Sequence, residues 1–466
     1  MKIKVGAQIT IEEPSNGVER WVRENLIVDN PEYIKKQRMG FWTGNTPPKL
    51  HLYERRGKAL VVPYGCVYEI LDFLEIWDTT QLEFPKHPPQ IDYGDILGVL
   101  YDYQRRAVTD AKNGIFGIIQ APAGSGKTQM GLALAMWIGK RTLWITHTHD
   151  LLAQSKERAE RYIDKDLIGT ITEGKINLGA GITFATVQTL SKIDLTQHRD
   201  YWDTIIVDEC HKAIATPGSV TMFSRVLNNL CARHKYGLTA TLHRADGLIK
   251  ATHALLGPVV AQVTKEDVAE KIMTVSVQPR FLNTRKSMDY LDTDGTIIYS
   301  RLITYLAENE ERNAVIVDDL IKNANNCNLI LSDRLSQLSA LMSMLPPSLR
   351  EQAVMIDGKM TSKKAKMARQ AALDDMRSGE KRFLFATYAL AREGLDVPPM
   401  DRLYLATPQK DAAVIEQSIG RIARTSPGKD HPIAYDYVDG PFRNLVKMYK
   451  RRCTTYRKLG CPILSE

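Results

Sequence analysis

Strand-like and helix-like patterns alternate through the middle of the chain. The apolar, strand-like runs lie at 117–120, 142–146, 204–207 and 236–238, and the helix-like segments between them include 128–138 and 150–162. Alternation of this kind is typical of βαβ units built around a parallel sheet.

The same alternation begins again after a less regular stretch from 265 to 309. The second set of strand-like runs lies at 328–331, 353–356, 383–386, 402–406 and 433–437. Helix-like segments separate these runs as well. The sequence therefore predicts two α/β domains in tandem.

The first 97 residues follow a different pattern. A strand-like run at 3–11 precedes a helix-like segment at 18–26, and two alternating runs within 49–62 flank Glu54, Arg55, Arg56, Gly57 and Lys58. The second feature predicts a β-hairpin with a basic turn. We read a small α+β domain there and predict domain bounds of 1–97, 98–265 and 266–466.

Composition limits the class of protein. The chain has 466 residues, of which 44% are apolar, and this is enough for two or three buried cores. No apolar run approaches the ~18 residues of a membrane helix, so we expect a soluble protein. The six cysteines include no C-x-x-C pair, which favours reduced thiols over a zinc ribbon or a disulfide framework.

The formal net charge is +8, and most of the excess lies at the carboxyl end. From 440 to 466 a single acid, Glu466, accompanies seven basic residues: Arg443, Lys447, Lys450, Arg451, Arg452, Arg457 and Lys458. A polyanion partner and a solvated helix face both fit this cluster.

The strongest chemical signal lies between an apolar strand and an apolar helix. It is the segment Pro122, Ala123, Gly124, Ser125, Gly126, Lys127 and Thr128, with Ala121 in place of the first glycine of the strict phosphate-loop pattern. Glycines let backbone N–H groups surround phosphates, the lysine neutralises β/γ oxygens, and the threonine can hold Mg²⁺. The segment predicts an ATP site.

Two acids complete this predicted site. Asp208 and Glu209 follow the apolar run at 204–207, and an acid at the carboxyl end of a buried strand faces the ligand crevice of an open α/β sheet. We expect Asp208 to hold Mg²⁺ together with Thr128, and Glu209 to polarise the water that attacks the γ-phosphate.

The tetrapeptide 208–211, Asp-Glu-Cys-His, resembles the second motif of the superfamily 2 helicases. Further segments match that family in order: 101–108 (YDYQRRAV), 146–152 (THTHDLL), 184–190 (FATVQTL), 237–247 (GLTATLHRADG), 329–335, 385–398 and 417–424. The resemblance covers residues 98 to 440, and it departs from the family at Leu242, where relatives usually carry proline.

This resemblance implies an α/β fold of two tandem RecA-like parallel-sheet domains preceded by the small α+β domain. It implies that Gln104 reads the adenine of ATP, that Gly394 and Asp396 contact the nucleotide, and that Gln417 takes part in catalysis. It implies nucleic-acid contacts for six residues: Thr146, His147, Thr186, Gln188, Arg334 and Thr387.

Arg421 and Arg424 are three residues apart on a predicted helix, so they are expected to share one face. We expect both to reach across a cleft to a γ-phosphate bound on the other domain. An arginine supplied in this way accelerates phosphoryl transfer by about 10³ to 10⁵. A solvated basic helix face is the alternative for these residues taken alone.

Within the superfamily, the compact layout and the 237–247 segment resemble the group of XPB and the UvsW-type enzymes, nearest the branch-migration helicases of T-five-like phages. That implies an ATP-dependent DNA helicase that moves Holliday junctions and forks in recombination, repair or replication. Its partners would be branched, forked or single-stranded DNA. The location implied is cytoplasmic, in the host if phage-encoded.

Two alternatives stay open: an RNA or R-loop remodelling helicase, and a nucleotide-switched DNA clamp without processive movement. The sequence indicates no protein partner and is compatible with a monomer. The amino-terminal domain is expected to select the substrate, with Arg55, Arg56 and Lys58 at its hairpin turn as candidate DNA contacts. A solvated hairpin tip is the alternative.

Residues 35–42 of the same domain interleave basic and aromatic side chains. Surfaces that track a nucleic-acid backbone and stack its bases have this composition. A solvated helix end with two core aromatics, Phe41 and Trp42, is the alternative.

Overall fold

The computed structural model describes residues 1–74, 81–84, 88–122, 124–211, 217–240, 249–264, 266–268, 272–356, 363–392, 395 and 397–465. The chain divides into two compact units, Met1–Val268 and Ala269–Glu466. No helix among these described residues is long and apolar enough to cross a membrane.

The amino-terminal part of the first unit is a small α+β assembly. Its elements are β1 (Lys2–Val5), β2 (Gln8–Glu12), α1 (Asn16–Asn25), β3 (Ile27–Asp29), α2 (Pro31–Arg38), β4 (Lys49–His51), β5 (Glu54–Arg56), β6 (Ala59–Pro63), α3 (Val67–Leu74) and β7 (Gln81–Leu82). Five strands form a sheet in the order β5-β6-β2-β1-β7, and β3 pairs with β4 separately.

The single strand predicted at 3–11 is wrong. The chain turns at Gly6, whose N–H donates to the Gln8 carbonyl at 3.0 Å, and β1 pairs antiparallel with β2. Ile3, Val5, Ile9 and Ile11 all face the core. The tight turn keeps the alternation of apolar residues in phase, so periodicity alone does not reveal it.

The basic hairpin is present, but it is shorter than the predicted 49–62. β5 and β6 pair antiparallel with Arg56 opposite Ala59, which leaves Gly57 and Lys58 as the turn. Gly57 has φ 58°, in the left-handed region that favours glycine. Arg55 and Arg56 therefore lie on a strand, and the segment Lys49–His51 pairs with β3 instead.

The amino-terminal sheet shares its core with the rest of the first unit. Ile9 and Val62 belong to one apolar cluster with Phe116 and Ala254. The buried Lys235 also joins the two parts, because its ammonium donates to the Ala7 carbonyl at 3.0 Å and to a carbonyl of the following core at 2.9 Å. Burial lowers the pKa of Lys235 to about 7.

The remainder of the first unit is a layered α/β core. Its elements are α4 (Asp102–Asn113), β8 (Gly117–Gln120), α5 (Lys127–Ile138), β9 (Thr142–Thr146), α6 (His149–Ala159), β10 (Ile168–Thr172), β11 (Lys175–Asn177), β12 (Ile182–Thr186), α7 (Val187–Leu190), β13 (Thr204–Val207), α8 (Pro217–Asn229), β14 (His234–Thr239), α9 (Ile249–Leu256) and β15 (Val259–Gln262). The strand order is β11-β10-β12-β9-β13-β14-β8-β15.

The predicted parallel sheet is confirmed in this core, where the pairings are parallel except for that between β10 and β11. Every residue of β9, β12 and β13 is buried. Strands covered on both faces are expected to be continuously apolar rather than alternating, and apart from threonines these strands contain only apolar residues. The carboxyl ends of the central strands meet at one edge of the sheet.

The second unit repeats the architecture. Its elements are β16 (Ser276–Leu282), α10 (Tyr299–Glu308), α11 (Glu310–Lys322), β17 (Asn328–Ser332), α12 (Leu335–Met344), α13 (Pro347–Arg350), β18 (Ala353–Ile356), α14 (Lys363–Ser378), β19 (Phe383–Thr387), α15 (Tyr388–Arg392), β20 (Arg402–Leu405), α16 (Ala412–Ile422), β21 (Ile433–Asp439) and α17 (Arg443–Leu459). The strands pair in parallel in the order β16-β21-β20-β17-β19-β18.

Strand β16 lies within the stretch that looked irregular in the sequence. It carries Pro279 and Arg280 in its middle, and proline cannot donate a ladder hydrogen bond, so it is confined to edge strands. β16 is the edge strand of the described sheet, next to β21, and on its other side Val277 forms a single parallel bridge with Ile463.

The basic carboxyl end is not a uniform solvated surface. On α17, Lys450 and Arg451 are exposed, but Arg452 is buried. The Arg452 guanidinium binds both carboxylate oxygens of Asp436, at 2.7 and 2.8 Å. Arg452 therefore cannot belong to the proposed polyanion-binding set, and the helical spacing explains why its two neighbours face solvent instead.

Candidate nucleotide site and nucleic-acid segments

The loop between β8 and α5 has the geometry of a phosphate cradle. The Ala121 N–H donates to the Thr239 carbonyl at 2.9 Å, which ties the start of the loop to β14. Gly124 and Gly126 have φ 85° and 80°, a backbone region that glycine enters without steric cost. Pro122 belongs to the described loop, whereas the predicted residue Ala123 lies outside the described residues.

The loop fits an anionic ligand. Ser125 Oγ is buried and has no hydrogen-bond partner among the described residues, and a buried hydroxyl without a partner is costly unless a ligand supplies one. A Cβ on Gly126 would come within 2.4 Å of Gln104 Nε2, and the positive φ of this residue is one that side chains with a Cβ rarely adopt, so glycine is favoured there. Lys127 begins α5 directly after Gly126.

Gln104 connects the phosphate loop to the start of α4 by hydrogen bonds. Its Nε2 donates to the Ser125 carbonyl at 2.9 Å, and its Oε1 accepts from the Tyr101 N–H at 3.0 Å. Tyr103 donates its hydroxyl proton to the same Ser125 carbonyl at 3.0 Å. The buried Gln104 thus holds the loop in place, and its contact with adenine stays a prediction.

Lys127 lies at the centre of the site. Its ammonium is 3.4 Å from the Ala121 carbonyl oxygen and 3.9 Å from Glu209 Oε1. The side chain is largely buried, so its charge is poorly screened by water. A cation held at this position is suited to neutralising phosphate oxygens.

Asp208 directly follows β13 and is buried. Its Oδ1 accepts from the Glu209 N–H at 3.0 Å, and its Oδ2 accepts from the Ser155 hydroxyl at 3.4 Å. Burial, and secondarily the charge of Glu209, raises the pKa of Asp208 to about 6, while Lys127 acts in the opposite direction. The cost of burying this carboxylate is typical of functional sites rather than of solvated loops.

Glu209 adopts a left-handed backbone with φ 51°. This conformation costs a residue with a Cβ about 1–2 kcal/mol, and such strain concentrates at active sites. The carboxylate lies 3.2 Å from His211 Nδ1, which is also 3.0 Å from Thr239 Oγ1. The strained turn aims Glu209 toward the phosphate loop.

The donors fit Mg²⁺, a hard cation that prefers oxygen ligands. Asp208 offers a carboxylate and Thr128, in the first turn of α5, offers a hydroxyl. No cluster of three or more His, Cys, Asp or Glu side chains able to hold a metal occurs within the described part of the chain.

Two segments assigned to nucleic-acid binding lie side by side. Thr146 ends β9 and Thr186 ends β12, and the two residues are register partners. Their side chains are buried: Thr186 Oγ1 accepts from the Thr189 N–H at 3.3 Å, and Thr146 donates to the Thr148 carbonyl at 3.0 Å. These hydroxyls therefore shape their own loops.

The exposed Gln188 joins the two segments, because its Nε2 donates to the His147 carbonyl at 2.9 Å. Gln188 is thus exposed to solvent, as is His149 of the other segment. Contact of Thr146, His147, Thr186 and Gln188 with nucleic acid stays a prediction.

In the second unit, Arg421 and Arg424 do not share a helix. α16 ends at Ile422, and Arg424 lies beyond it in a β-bridge with Ile272. Arg421 Nε donates to the Ala391 carbonyl at 3.0 Å. The premise of one helical face is wrong, because pairing with residue 272 draws the chain out of the helix after Ala423.

The other predicted residues of the second unit are placed as follows. Gln417 lies on α16, and its buried Oε1 has no hydrogen-bond partner among the described residues. Arg334 is the N-cap residue that precedes α12, and its guanidinium donates to Thr304 Oγ1 at 3.1 Å and to the Ser300 carbonyl at 3.1 Å. Thr387 ends β19 opposite Ser332. Gly394 and Asp396 lie outside the described residues, as does most of the 237–247 motif.

Sequence reasoning missed three supporting residues. Tyr103 and Ser155 contact the phosphate loop and Asp208, as described above. Lys429 donates to the Arg424 carbonyl at 2.7 Å and to the Pro398 carbonyl at 3.2 Å, and burial lowers its pKa to about 8. Tyr103 adjoins Gln104, but no sequence signal marks Ser155 or Lys429.

Comparisons with known proteins agree with this arrangement. Residues 98–244 match the family model "Type III restriction enzyme, res subunit", and residues 311–426 match "Helicase conserved C-terminal domain". Together the two matches cover the strands of both parallel sheets except β15, β16 and β21. They define the chain as a helicase that uses ATP.

Three curated relatives cover most of the chain. The mimivirus protein named putative ATP-dependent RNA helicase L396 is 26% identical, over 92% of this chain and 78% of its own length. Probable helicase D10 of Escherichia phage T5 is 26% identical, over 69% and 67%. DNA 3'-5' translocase XPB2 of Sulfurisphaera tokodaii is 27% identical, over 70% and 78%.

Among solved structures, Saccharomyces cerevisiae Dbp5 bound to RNA and ADP BeF3 matches with a TM-score of 0.54 at 14% identity, over 79% of this chain and 94% of that one. At this identity the likeness concerns the fold alone. The chain belongs to the superfamily 2 helicases, and an XPB translocase and a phage helicase are among the proteins it is similar to. The family resemblance drawn from the motifs is confirmed.

Proposed function

We propose that this helicase acts on DNA and remodels branched DNA, moving Holliday junctions and forks by branch migration at the expense of ATP. The observation that carries the ATP-driven part is the meeting of Lys127, Asp208 and Glu209 beside the phosphate loop, with Lys127 3.9 Å from Glu209. Lys127 can neutralise phosphate charge and Glu209 can act as a base, and phosphoryl transfer to water requires both groups close to the same phosphate.

Each residue has a distinct part in this proposal. Backbone N–H groups of the loop and the Lys127 ammonium bind the phosphates, and the Ser125 hydroxyl supplies a further donor. Glu209 orients the attacking water and accepts its proton. Asp208 and Thr128 would hold Mg²⁺, which when bound neutralises charge on the β- and γ-phosphate oxygens.

DNA as the track is supported by the names of two relatives. The Sulfurisphaera protein is called a DNA translocase, and other XPB relatives are called DNA helicases. The mimivirus relative is called a putative RNA helicase, so RNA remodelling is the second candidate. ATP turnover stimulated by duplex DNA, single-stranded DNA and RNA, compared at equal nucleotide concentration, separates the two. Stimulation by RNA alone would overturn the choice of DNA.

The basic hairpin is proposed as a second contact for a junction arm. Lys58 at the turn is 88% exposed and lies 4.0 Å from Glu13. Arg55 and Arg56 are held by Glu19 at 2.6 Å and Glu54 at 2.7 Å. A motor that moves a junction must hold several DNA arms at once, so it needs a second contact surface. Re-pairing of the strands behind the junction offsets most of the free energy spent on melting the base pairs ahead of it.

The test is a comparison of substrates. We expect ATP-dependent processing of four-way junctions and forks to be faster than that of a tailed duplex of equal length. Changing Arg55, Arg56 and Lys58 together to Ala should slow junction processing more than ATP hydrolysis stimulated by single strands. Deleting residues 1–97 is not a clean test, because it would strip the shared core around Phe116 and Ala254. Equal rates on all substrates would contradict branch migration.

A nucleotide-switched clamp is the remaining alternative. Steady-state release of phosphate over many turnovers in the presence of DNA excludes a one-shot switch. A single turnover per DNA-binding event would favour the clamp.

A further inference from the structure

Helix α2 and the loop that follows it form a projection with no core of its own. None of the residues of α2 is buried. Polar contacts hold the projection together: Asn30 Nδ2 donates to the Pro47 carbonyl at 2.8 Å, and Lys36 Nζ donates to Thr46 Oγ1 at 2.7 Å. These bonds order the backbone while the larger side chains face solvent.

Two aromatic rings lie at the tip of this projection. Trp42 is 86% exposed and Phe41 is 59% exposed, so neither is a core aromatic. The Trp42 indole lies against Gly44, where a Cβ would come within 2.5 Å of ring carbon Cζ3. The exposed indole is therefore positioned by the backbone of its own loop, and little further ordering is needed for a flat partner to stack on it.

A cleft of about 730 Å³ lies beside α2, between β3, β4 and α9. Its lining includes one acid, Asp29, and four cations: Lys35, Arg38, Lys49 and Lys250. Lys49 pairs with Asp29. Lys35, Arg38 and Lys250 make no ion pair within the described ranges of the chain, so the cleft has an uncompensated positive charge.

The cleft is fixed to the α/β core. Val28 of β3 and Leu50 pack in one apolar cluster with Ala251 of α9, the residue that follows Lys250. The cations contributed by α2 and by α9 are therefore held by elements of one compact unit, which lets them act together on one ligand.

We propose that this cleft and Trp42 form a separate binding site for unpaired nucleotides at a DNA branch point. Lys35, Arg38 and Lys250 would contact consecutive phosphates, and one base would stack on the Trp42 indole. A positive groove combined with an exposed aromatic ring binds single-stranded nucleic acid, and Trp42 follows in the chain three residues after Met39, which lines the cleft. An acidic peptide would use the cations but not the indole. The proposal rests on the proposed function in taking DNA as the ligand.

The test measures affinity without ATP, using the full chain, a fork with two unpaired arms and a blunt duplex of equal length. Trp42→Ala should weaken fork binding by about 5- to 100-fold, since stacking contributes that much per base, and should leave blunt-duplex binding unchanged. Trp42→Phe keeps a ring and should retain most of the affinity. Equal fork affinity of Trp42→Ala and wild type would overturn the proposal.

A charge series tests the cleft. Lys35→Gln with Arg38→Gln should lower the slope of log affinity against log salt by about 1.4, because each phosphate contact on a single strand contributes about 0.7. Lys35→Arg with Arg38→Lys keeps the charge and should keep the slope. An unchanged slope in the glutamine variant would overturn the phosphate contacts.

ATP turnover separates this site from the motor. All of these variants should keep the wild-type ATPase rate without DNA, since none touches the phosphate loop. Two results together would support the site and contradict the proposed function: Trp42→Ala loses fork affinity, and DNA fails to stimulate the ATPase of the wild type. If DNA stimulates the ATPase of the wild type but Trp42→Ala binds the fork as tightly as wild type, the result would support the proposed function and contradict this binding site.

Discussion

The ammonium of Lys127 lies 3.9 Å from Glu209 Oε1. In the sequence, the five strands β9 to β13 lie between these two residues. β8 and β13 end at the same edge of that sheet, so the residues after them converge. This pairing places a phosphate-binding cation and a carboxylate for proton transfer in one small space.

Lys127→Ala is expected to abolish ATP turnover while leaving the fold intact. The side chain serves a ligand at a loop and fills no core, so its loss removes charge neutralisation without opening a cavity. Steady-state phosphate release and thermal unfolding are the measurements. Lys165→Ala, at an exposed lysine of the same unit, should behave as wild type. Wild-type turnover by a folded Lys127→Ala protein would remove this site from consideration.

Glu209→Gln is expected to bind ATP and fail to hydrolyse it. The amide keeps the shape and the left-handed backbone of residue 209 but cannot accept a proton from water. Nucleotide affinity and single-turnover hydrolysis should therefore separate, with the first retained and the second lost. Loss of both together would show that Glu209 serves binding instead.

Arg424→Ala is expected to depress the hydrolysis rate by about 10³ to 10⁵, with a smaller loss of nucleotide affinity, if its role is to stabilise transferring charge. Arg443→Ala, at an exposed arginine of the same unit, is the control and should keep both. Lost affinity with an unchanged maximal rate would contradict the assignment.

Arg452→Ala is expected to destabilise the second unit by about 3–5 kcal/mol, because it leaves the buried Asp436 carboxylate without its cation. Arg451→Ala, one residue earlier and exposed, should stay within about 0.5 kcal/mol of wild type. Urea unfolding of both variants measures the difference. If Arg452→Ala and Arg451→Ala are equally stable, the Asp436 carboxylate is protonated or binds another partner in the Arg452→Ala variant.

Stability of the first unit is expected to rise between pH 7 and 10.5 through Lys235. Its pKa in the folded protein is about 7, against 10.5 ordinarily, so over this window the unfolded chain binds one more proton than the folded one. Stability then increases with pH, by at most about 1.4 kcal/mol per pH unit. The increase ends once the pH passes the higher value.

Lys235→Met lacks this titration, so the free energy of unfolding of wild type relative to the variant should increase from pH 7 to pH 9 in denaturant titrations. A constant difference across that range would mean that the carbonyls of Ala7 and Leu227 keep the ammonium protonated in the fold.

The phosphate-loop motif and the positions of many strands along the chain were determined by the sequence itself. A phosphate loop depends on residues that are close in sequence, since Gly124, Gly126 and Lys127 act within one turn. Buried parallel strands are continuous apolar runs, so segments such as 142–146 and 353–356 were predicted with their observed bounds.

Only the tertiary structure decided which polar and aromatic side chains are buried. Arg452 and Arg451 are equivalent in a charge count, but helix geometry and the position of Asp436 bury the first alone. Trp42 could have been a core residue by composition, yet its side chain is 86% exposed. Gln104 supports Ser125 only because α4 lies beneath the loop. Burial depends on what other segments bring to the same place, and no local pattern contains that information.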